Sequence, residues 1–115
     1  MTREQRAQQL WSILVLAASS RQILTYEIVG QACGLPPPSI GDFLRPIQQY
    51  CQENGLPPLT SIVVQKHTGL PGEGFIAVEN IPLAHTKVFE THWLDHPAPS
   101  EHQLADAYLR APDHR

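Results

Sequence analysis

Residues 23–75 read ILTYEIVGQACGLPPPSIGDFLRPIQQYCQENGLPPLTSIVVQKHTGLPGEGF, and this stretch decides the fold. Thr25 supplies a helix N-cap, and Leu24 and Val29 occupy the two positions of a hydrophobic staple, so a helix opens at Tyr26. Gly34 permits a left-handed stop, and the prolines at 36–38 forbid continuation. Ser39 is placed to cap a further helix, in which Ile40, Phe43, Leu44, Ile47, Tyr50 and Cys51 recur at i, i+3, i+4, i+7 spacing. Pro46 lies off that stripe, which predicts an outward bend rather than a break, and Asn54-Gly55 ends the helix. Residues 59–65 are rich in β-branched side chains and read as a strand. Glycines at 69, 72 and 74 permit a turn with Lys66 and His67 at its tip, and residues 75–81 read as the returning strand.

Upstream, Thr2 and Gln5 form a capping-box pattern that opens a first helix near Arg3, running to Ser19 or Ser20. Leu10, Ile13, Leu14, Ala17 and Ala18 give it an apolar face, widened by Trp11 and Val15. Downstream, residues 87–94 read as helical with Val88, Phe89, Trp93 and Leu94 inward. Ser100 and Gln103 then open a terminal helix to about Arg110 with Leu104, Ala107, Tyr108 and Ala111 on one edge. The fold class expected is α+β: a winged-helix-like domain of three N-terminal helices and a β-hairpin wing, followed by one or two C-terminal helices. Residues 1–81 form the core and residues 82–115 a helical extension packing back on it, one domain overall, with the last residues fraying.

Composition bounds the function classes. A chain of 115 residues fits one domain that buries about two-thirds of its unfolded surface. The prolines fall in short blocks, at 36–38, 57–58 and 97–99, which read as rigid connectors. The longest apolar run lies within residues 10–18, short of the ~20 residues of a membrane span, and no cleavable signal pattern follows the charged start. Cys33 and Cys51 both fall on apolar helical faces and read as small core side chains in a reducing, cytoplasmic setting. The net charge is −3, and between Arg21 and Ile76 three fixed cations (Arg21, Arg45, Lys66) face four anions (Glu27, Asp42, Glu53, Glu73). So sparse a basic footprint predicts weak non-specific DNA affinity.

Within the third helix, Arg45, Gln48 and Gln52 share one polar face. Arg and Gln are side chains that read guanine and adenine edges, although a solvated face has the same composition. Lys66 and His67 are placed to touch phosphates as a wing does, or to be ordinary turn residues. His92 and His96 stand four apart, one helical face if the helix continues, with His85 and His102 nearby and Glu90 or Asp95 as carboxylate partners. Neither cysteine belongs to a Cys-x-x-Cys pair, and the expectation is titrating surface histidines, with metal-dependent hydrolysis as the enzyme-class rival. No nucleophile elbow, phosphate loop, dinucleotide fingerprint or His-Glu-x-x-His is present, so the chain reads as non-enzymatic, without cofactor or metal.

Residues 24–75 resemble the C-terminal winged-helix domain of the alkylguanine-DNA alkyltransferases and alkyltransferase-like proteins. Thr25-Tyr26-Glu27-Ile28-Val29-Gly30 is similar to the family's Thr/Ser-Tyr-Gly/Gln-x-(Ile/Leu)-Ala opening, and Ser39-Ile40-Gly41 to its Gly-containing recognition helix. Pro58-Leu59-Thr60-Ser61-Ile62-Val63 stands where the family has Pro-Cys-His-Arg-Val-Val before a Gly-rich hairpin. The resemblance covers less than half of the chain. It implies a DNA-facing Tyr26, but it places Leu59 at the alkyl-accepting cysteine, Thr60 at its histidine and Pro38 near the intercalating arginine. Leucine offers no nucleophile, so alkyl transfer is excluded on this alignment.

The expected function is therefore a nucleic-acid-binding or regulatory winged-helix module, with duplex DNA as partner. The site residues expected are Tyr26, Ser39, Arg45, Gln48, Gln52, Lys66 and His67. The alternative is a protein-protein interaction module, homodimeric or an adaptor, on a scaffold that has lost its basic surface; the net negative charge and the region of Phe89 and Trp93 favour it.

Overall fold

Thr2 caps the first helix, α1 (Arg3–Ser19), through the reciprocal pair Gln5 N–H to Thr2 Oγ1 (3.1 Å) and Thr2 N–H to Gln5 Oε1 (2.9 Å). The computed structural model describes residues 1–72 and 80–112. Ala7, Leu10, Leu14 and Ala18 of α1 are wholly buried, and Trp11 nearly so. A two-residue strand, β1 (Leu24–Thr25), leads into α2 (Tyr26–Cys33), whose Ile28 N–H donates to the Thr25 side chain at 3.2 Å. Gly34 ends α2 in the left-handed region, φ 69°. The Arg6 guanidinium of α1 donates to the carbonyl of Cys33 at 2.6 Å, satisfying one of the acceptors a helix end leaves open.

One expectation fails at the start of the next helix, α3 (Ile40–Glu53). Ser39 does not cap it. Pro37–Ser39 is a 3-10 turn, Ser39 has helical φ and ψ, and its hydroxyl donates back to Pro36 O at 2.7 Å. Pro46 is buried, and the helix continues past it to Glu53. Ile40, Leu44, Ile47 and Cys51 form the buried stripe as their spacing predicts.

The expected strand over residues 59–65 is mostly a 3-10 turn, Leu59–Ile62; only β2 (Val63–Val64) is extended. All six residues from Leu59 to Val64 are buried, so the segment lacks the inside-outside alternation of a half-buried strand, and Ser61 N–H closes a turn onto Pro58 O at 2.9 Å. β2 pairs in parallel with β1, Leu24 opposite Val63 and Thr25 opposite Val64. An antiparallel bridge from Val64 to Pro71 and the bond Gln65 N–H to Leu70 O (2.8 Å) start a hairpin. Its returning strand was expected over residues 75–81, of which 75–79 lie outside the described residues.

Ile81 itself is helical. Asn80 caps α4 (Ile81–Glu90), accepting from Leu83 N–H at 3.0 Å, so this helix starts earlier than residue 87 and ends before 94. A 3-10 turn, Trp93–Asp95, follows, with Trp93 buried and Leu94 84% exposed rather than inward. Ser100 and Gln103 form the second capping box and open α5 (Glu101–Arg110). Helix α5 packs on both α1 and α3, with Leu104 and Ala107 wholly buried. Trp11 sits between Tyr50 and Trp93, edge-on to each at 5.7 and 5.8 Å, joining α1, α3 and the 93–95 turn in one core. Among the described residues the architecture is helix-rich α+β: five α-helices around a two-stranded parallel sheet. No helix among them is long and apolar enough to cross a membrane.

Two glycines make opposite stability predictions. A Cβ on Gly30 would meet Leu35 O at 2.5 Å, whereas one on Gly41 meets open space. Gly30→Ala should cost about 1–3 kcal/mol by overpacking, and Gly41→Ala should add up to about 1 kcal/mol of helix propensity. Urea unfolding checks both; shifts of the same sign would contradict the packing described.

Candidate functional site

The residues expected to form one binding face divide into two groups. Tyr26 belongs to the first. It opens α2, is partly buried, and its hydroxyl accepts the Gly72 N–H at 3.1 Å. Burial pushes the phenol pKa up, opposed by that hydrogen bond. Because a Cβ on Gly72 would run into the Tyr26 hydroxyl, the close approach requires glycine there. The bond ties the start of α2 to the base of the 65–72 turn. Gln65 Nε2 adds a bond to Pro71 O (3.2 Å), and Gly69 N–H donates to Gln65 O (2.8 Å). Lys66 and His67 stand exposed on this braced turn. Leu70 on this turn and Ile28 on α2 are both 52% exposed, and Ile23, just before β1, is also exposed.

The second group lies along α3, and most of its polar face is covered. Arg45 Nη2 donates to the carbonyl of Ala111 at 3.0 Å, and its guanidinium lies 4.5 Å from the Tyr108 ring centre. Tyr108 donates its hydroxyl to Asp42 at 2.8 Å, and Arg3 lies over the same ring at 3.9 Å while its Nε reaches Asp42 at 3.4 Å. At the last residue of α3, Arg110 grips both Glu53 oxygens at 2.6 and 2.8 Å, and Gln49 donates to the same carboxylate at 3.1 Å. Arg45 therefore holds the C-terminal end of α5 instead of facing solvent. Ser39 is engaged with Pro36, Gln48 is partly buried, and Gln52 remains exposed. Sequence reading missed this second arrangement because it treated Tyr108 as an apolar edge residue and did not pair Arg110 with anything.

Leu59 is wholly buried, and Thr60 and Ser61 are buried with hydroxyls that find no hydrogen-bond partner among the described residues. Both thiols are buried, and burial raises each pKa, that of Cys51 to about 12, which opposes thiolate formation. His92 and His96 do not share a helical face: α4 has ended, and the two flank the 93–95 turn, with His96 beside Trp93. His85 bonds the backbone oxygen of Ser61 at 2.7 Å. Among the described residues, no three His, Cys, Asp or Glu side chains are grouped to hold a metal ion. A shallow groove of about 330 Å³ lies between Leu56, Pro57, Pro58 and the α4 residues Leu83 and Lys87.

In comparison with known proteins, no family model, no curated protein and no solved structure matches this chain.

The Glu53 carboxyl is held well below the usual carboxylate range, at about 2, chiefly by the Arg110 hydrogen bonds and then by Gln49. Its folded-state value lies below the unfolded one of about 4.3, so its contribution is full above that value and is lost as pH falls toward 2. The stability gap between wild type and Glu53→Gln should therefore narrow between pH 5 and pH 2, in urea titrations at low salt. A gap independent of pH would contradict the pairing.

Proposed function

We propose that this chain is a non-enzymatic binding module on a winged-helix-like scaffold related to the alkyltransferase-like proteins, and that it meets a protein partner through the hairpin end. The scaffold reading is supported by the order of α1, β1, α2, α3 and the turn after β2, together with Thr25, Tyr26 and the Gly72 approach. The non-enzymatic reading is supported by Leu59 and Thr60 at the positions of the reactive pair and by the two buried thiols, whose pKa values burial raises. What carries the choice of a protein is the state of α3: its one cation, Arg45, is engaged with α5, and its two carboxylates, Asp42 and Glu53, are paired with Arg3 and Arg110, so the helix offers phosphates no unengaged cation of its own. At the hairpin end, by contrast, Leu70 exposes apolar surface on the turn that the Tyr26–Gly72 bond fastens to α2, and α2 itself exposes Ile28, which suits a protein surface, including that of a second copy of the chain.

A nucleic-acid reading is favoured by one observation, the exposed Lys66 and His67 on the same braced turn. It requires the wing rather than α3 to make the contacts, so binding would be weak and non-specific, with a salt slope near −0.9 per phosphate neutralised.

Two measurements separate the readings. Immobilised full-length protein should retain a partner from native lysate, or light scattering should show self-association, with either lost at least tenfold in Ile28→Asp and kept in Lys66→Ala. A monomer that captures nothing, yet shifts mixed duplexes at low salt in a Lys66-dependent way, would replace the protein reading with the nucleic-acid one.

A further inference from the structure

Helix α3 ends in a closed backbone motif with a reactive dipeptide inside it. Asn54 is the C-cap, Gly55 follows in the left-handed region at φ 65°, and both are exposed. Gly55 N–H donates to Gln52 O at 3.4 Å and Leu56 N–H to Cys51 O at 2.9 Å, the pair of bonds that satisfies the last carbonyls of a helix ending at a left-handed glycine. The Asn54 side chain adds a third, Nδ2 to Tyr50 O at 2.9 Å. An asparagine followed by glycine is open to attack on its own side chain, because glycine has no Cβ to shield its backbone nitrogen. Among the described residues nothing lies within 4 Å of where a Gly55 Cβ would stand, so no packed neighbour blocks the approach either. Asn80, the other asparagine of the chain, is followed by the β-branched Ile81, and its Oδ1 is held by Leu83 N–H at 3.0 Å.

We infer that Asn54–Gly55 is a site of spontaneous deamidation, and that the three bonds closing α3 restrain it. The Gly55 backbone nitrogen, having lost its proton to solvent base, attacks Asn54 Cγ. The new N–Cγ bond forms, Cγ–Nδ2 breaks, and the side-chain nitrogen takes a proton from water and leaves as ammonia. Water then opens the five-membered succinimide at either carbonyl, which leaves aspartate or isoaspartate. The folded geometry opposes ring closure in two ways. At ψ 10° the Gly55 nitrogen is eclipsed with Asn54's own backbone nitrogen instead of with its Cβ, so it is turned away from Cγ. The Asn54 amide is also fastened to Tyr50 O. The ring therefore closes only when the last turn of α3 opens locally. The product replaces the donor facing Tyr50 O by a carboxylate, next to Glu53 and at the negative end of the helix dipole. Isoaspartate further inserts a methylene into the main chain between α3 and the buried residues 59–64. The site lies apart from the exposed hairpin turn, so the inference stands independently of the proposed function.

Full-length protein aged in mildly alkaline buffer, with and without guanidinium chloride, then digested and read by mass spectrometry, tests this. In denaturant the peptide carrying Asn54 should gain the mass difference between an amide and an acid and resolve into aspartate and isoaspartate forms, while the peptide carrying Asn80 keeps its mass. In the folded chain the same conversion should run slower by about tenfold or more. Asn80 converting as fast as Asn54, or equal rates at Asn54 with and without denaturant, overturns the inference. Asn54→Asp, which carries the product charge, should unfold at a lower urea concentration than wild type at neutral pH, and an unchanged midpoint counts against the restraint assigned to the Asn54–Tyr50 bond.

Discussion

The structure depends on one helix being claimed from both sides. The apolar stripe of α3, Ile40, Leu44, Ile47 and Cys51, is driven into the core against α1 and the 59–62 turn, and Tyr50 of the same helix meets the edge of Trp11. Burial of four such side chains is worth several kcal/mol in gross terms, which fixes the rotation of α3 about its axis. Once that rotation is fixed, Asp42, Arg45, Gln49 and Glu53 must project to the other side, where α5 lies. Helix α3 is thereby engaged on both its apolar and its polar side.

That consequence moves the functional surface. Asp42, Arg45, Gln49 and Glu53 of α3 are engaged within the chain, whereas Lys66, His67 and Leu70 on the 65–72 turn stand exposed. The Tyr26–Gly72 bond then matters more than Tyr26 itself, because it joins the 65–72 turn, with Lys66, His67 and Leu70, to the start of α2. Pre-organisation of this kind lowers the entropy lost on binding, whatever the partner.

What was legible in the sequence was local. The capping boxes at Thr2/Gln5 and Ser100/Gln103, the Thr25 cap and the Gly34 stop each depend on residues within a few positions, and each is found where it was read. The 59–62 turn was misread because β-branched residues buried on every side carry no alternation, and periodicity alone does not separate a strand from other buried segments. The α4 start was hidden by the same error, since Asn80 was counted within a strand instead of as a cap. The clasp of α5 on α3 was illegible for a different reason: Arg110 and Glu53 stand 57 residues apart, and Tyr108 and Asp42 stand 66 apart, with no local pattern linking either pair. The candidate site inherited that blindness, which is why Arg45 was expected at a partner's surface and is found beneath a helix.

The closure of α3 by α5 is tested most directly by nuclear Overhauser contacts from the Tyr108 ring. With Arg3 and Arg45 both lying over that ring, at 3.9 and 4.5 Å from its centre, its protons should show contacts to the side-chain methylenes of both arginines. Spectra that show the Trp11–Tyr50 core contacts but none from Tyr108 to either arginine would mean that α3 is open, and would return Arg45, Gln48 and Gln52 to the partner-facing surface.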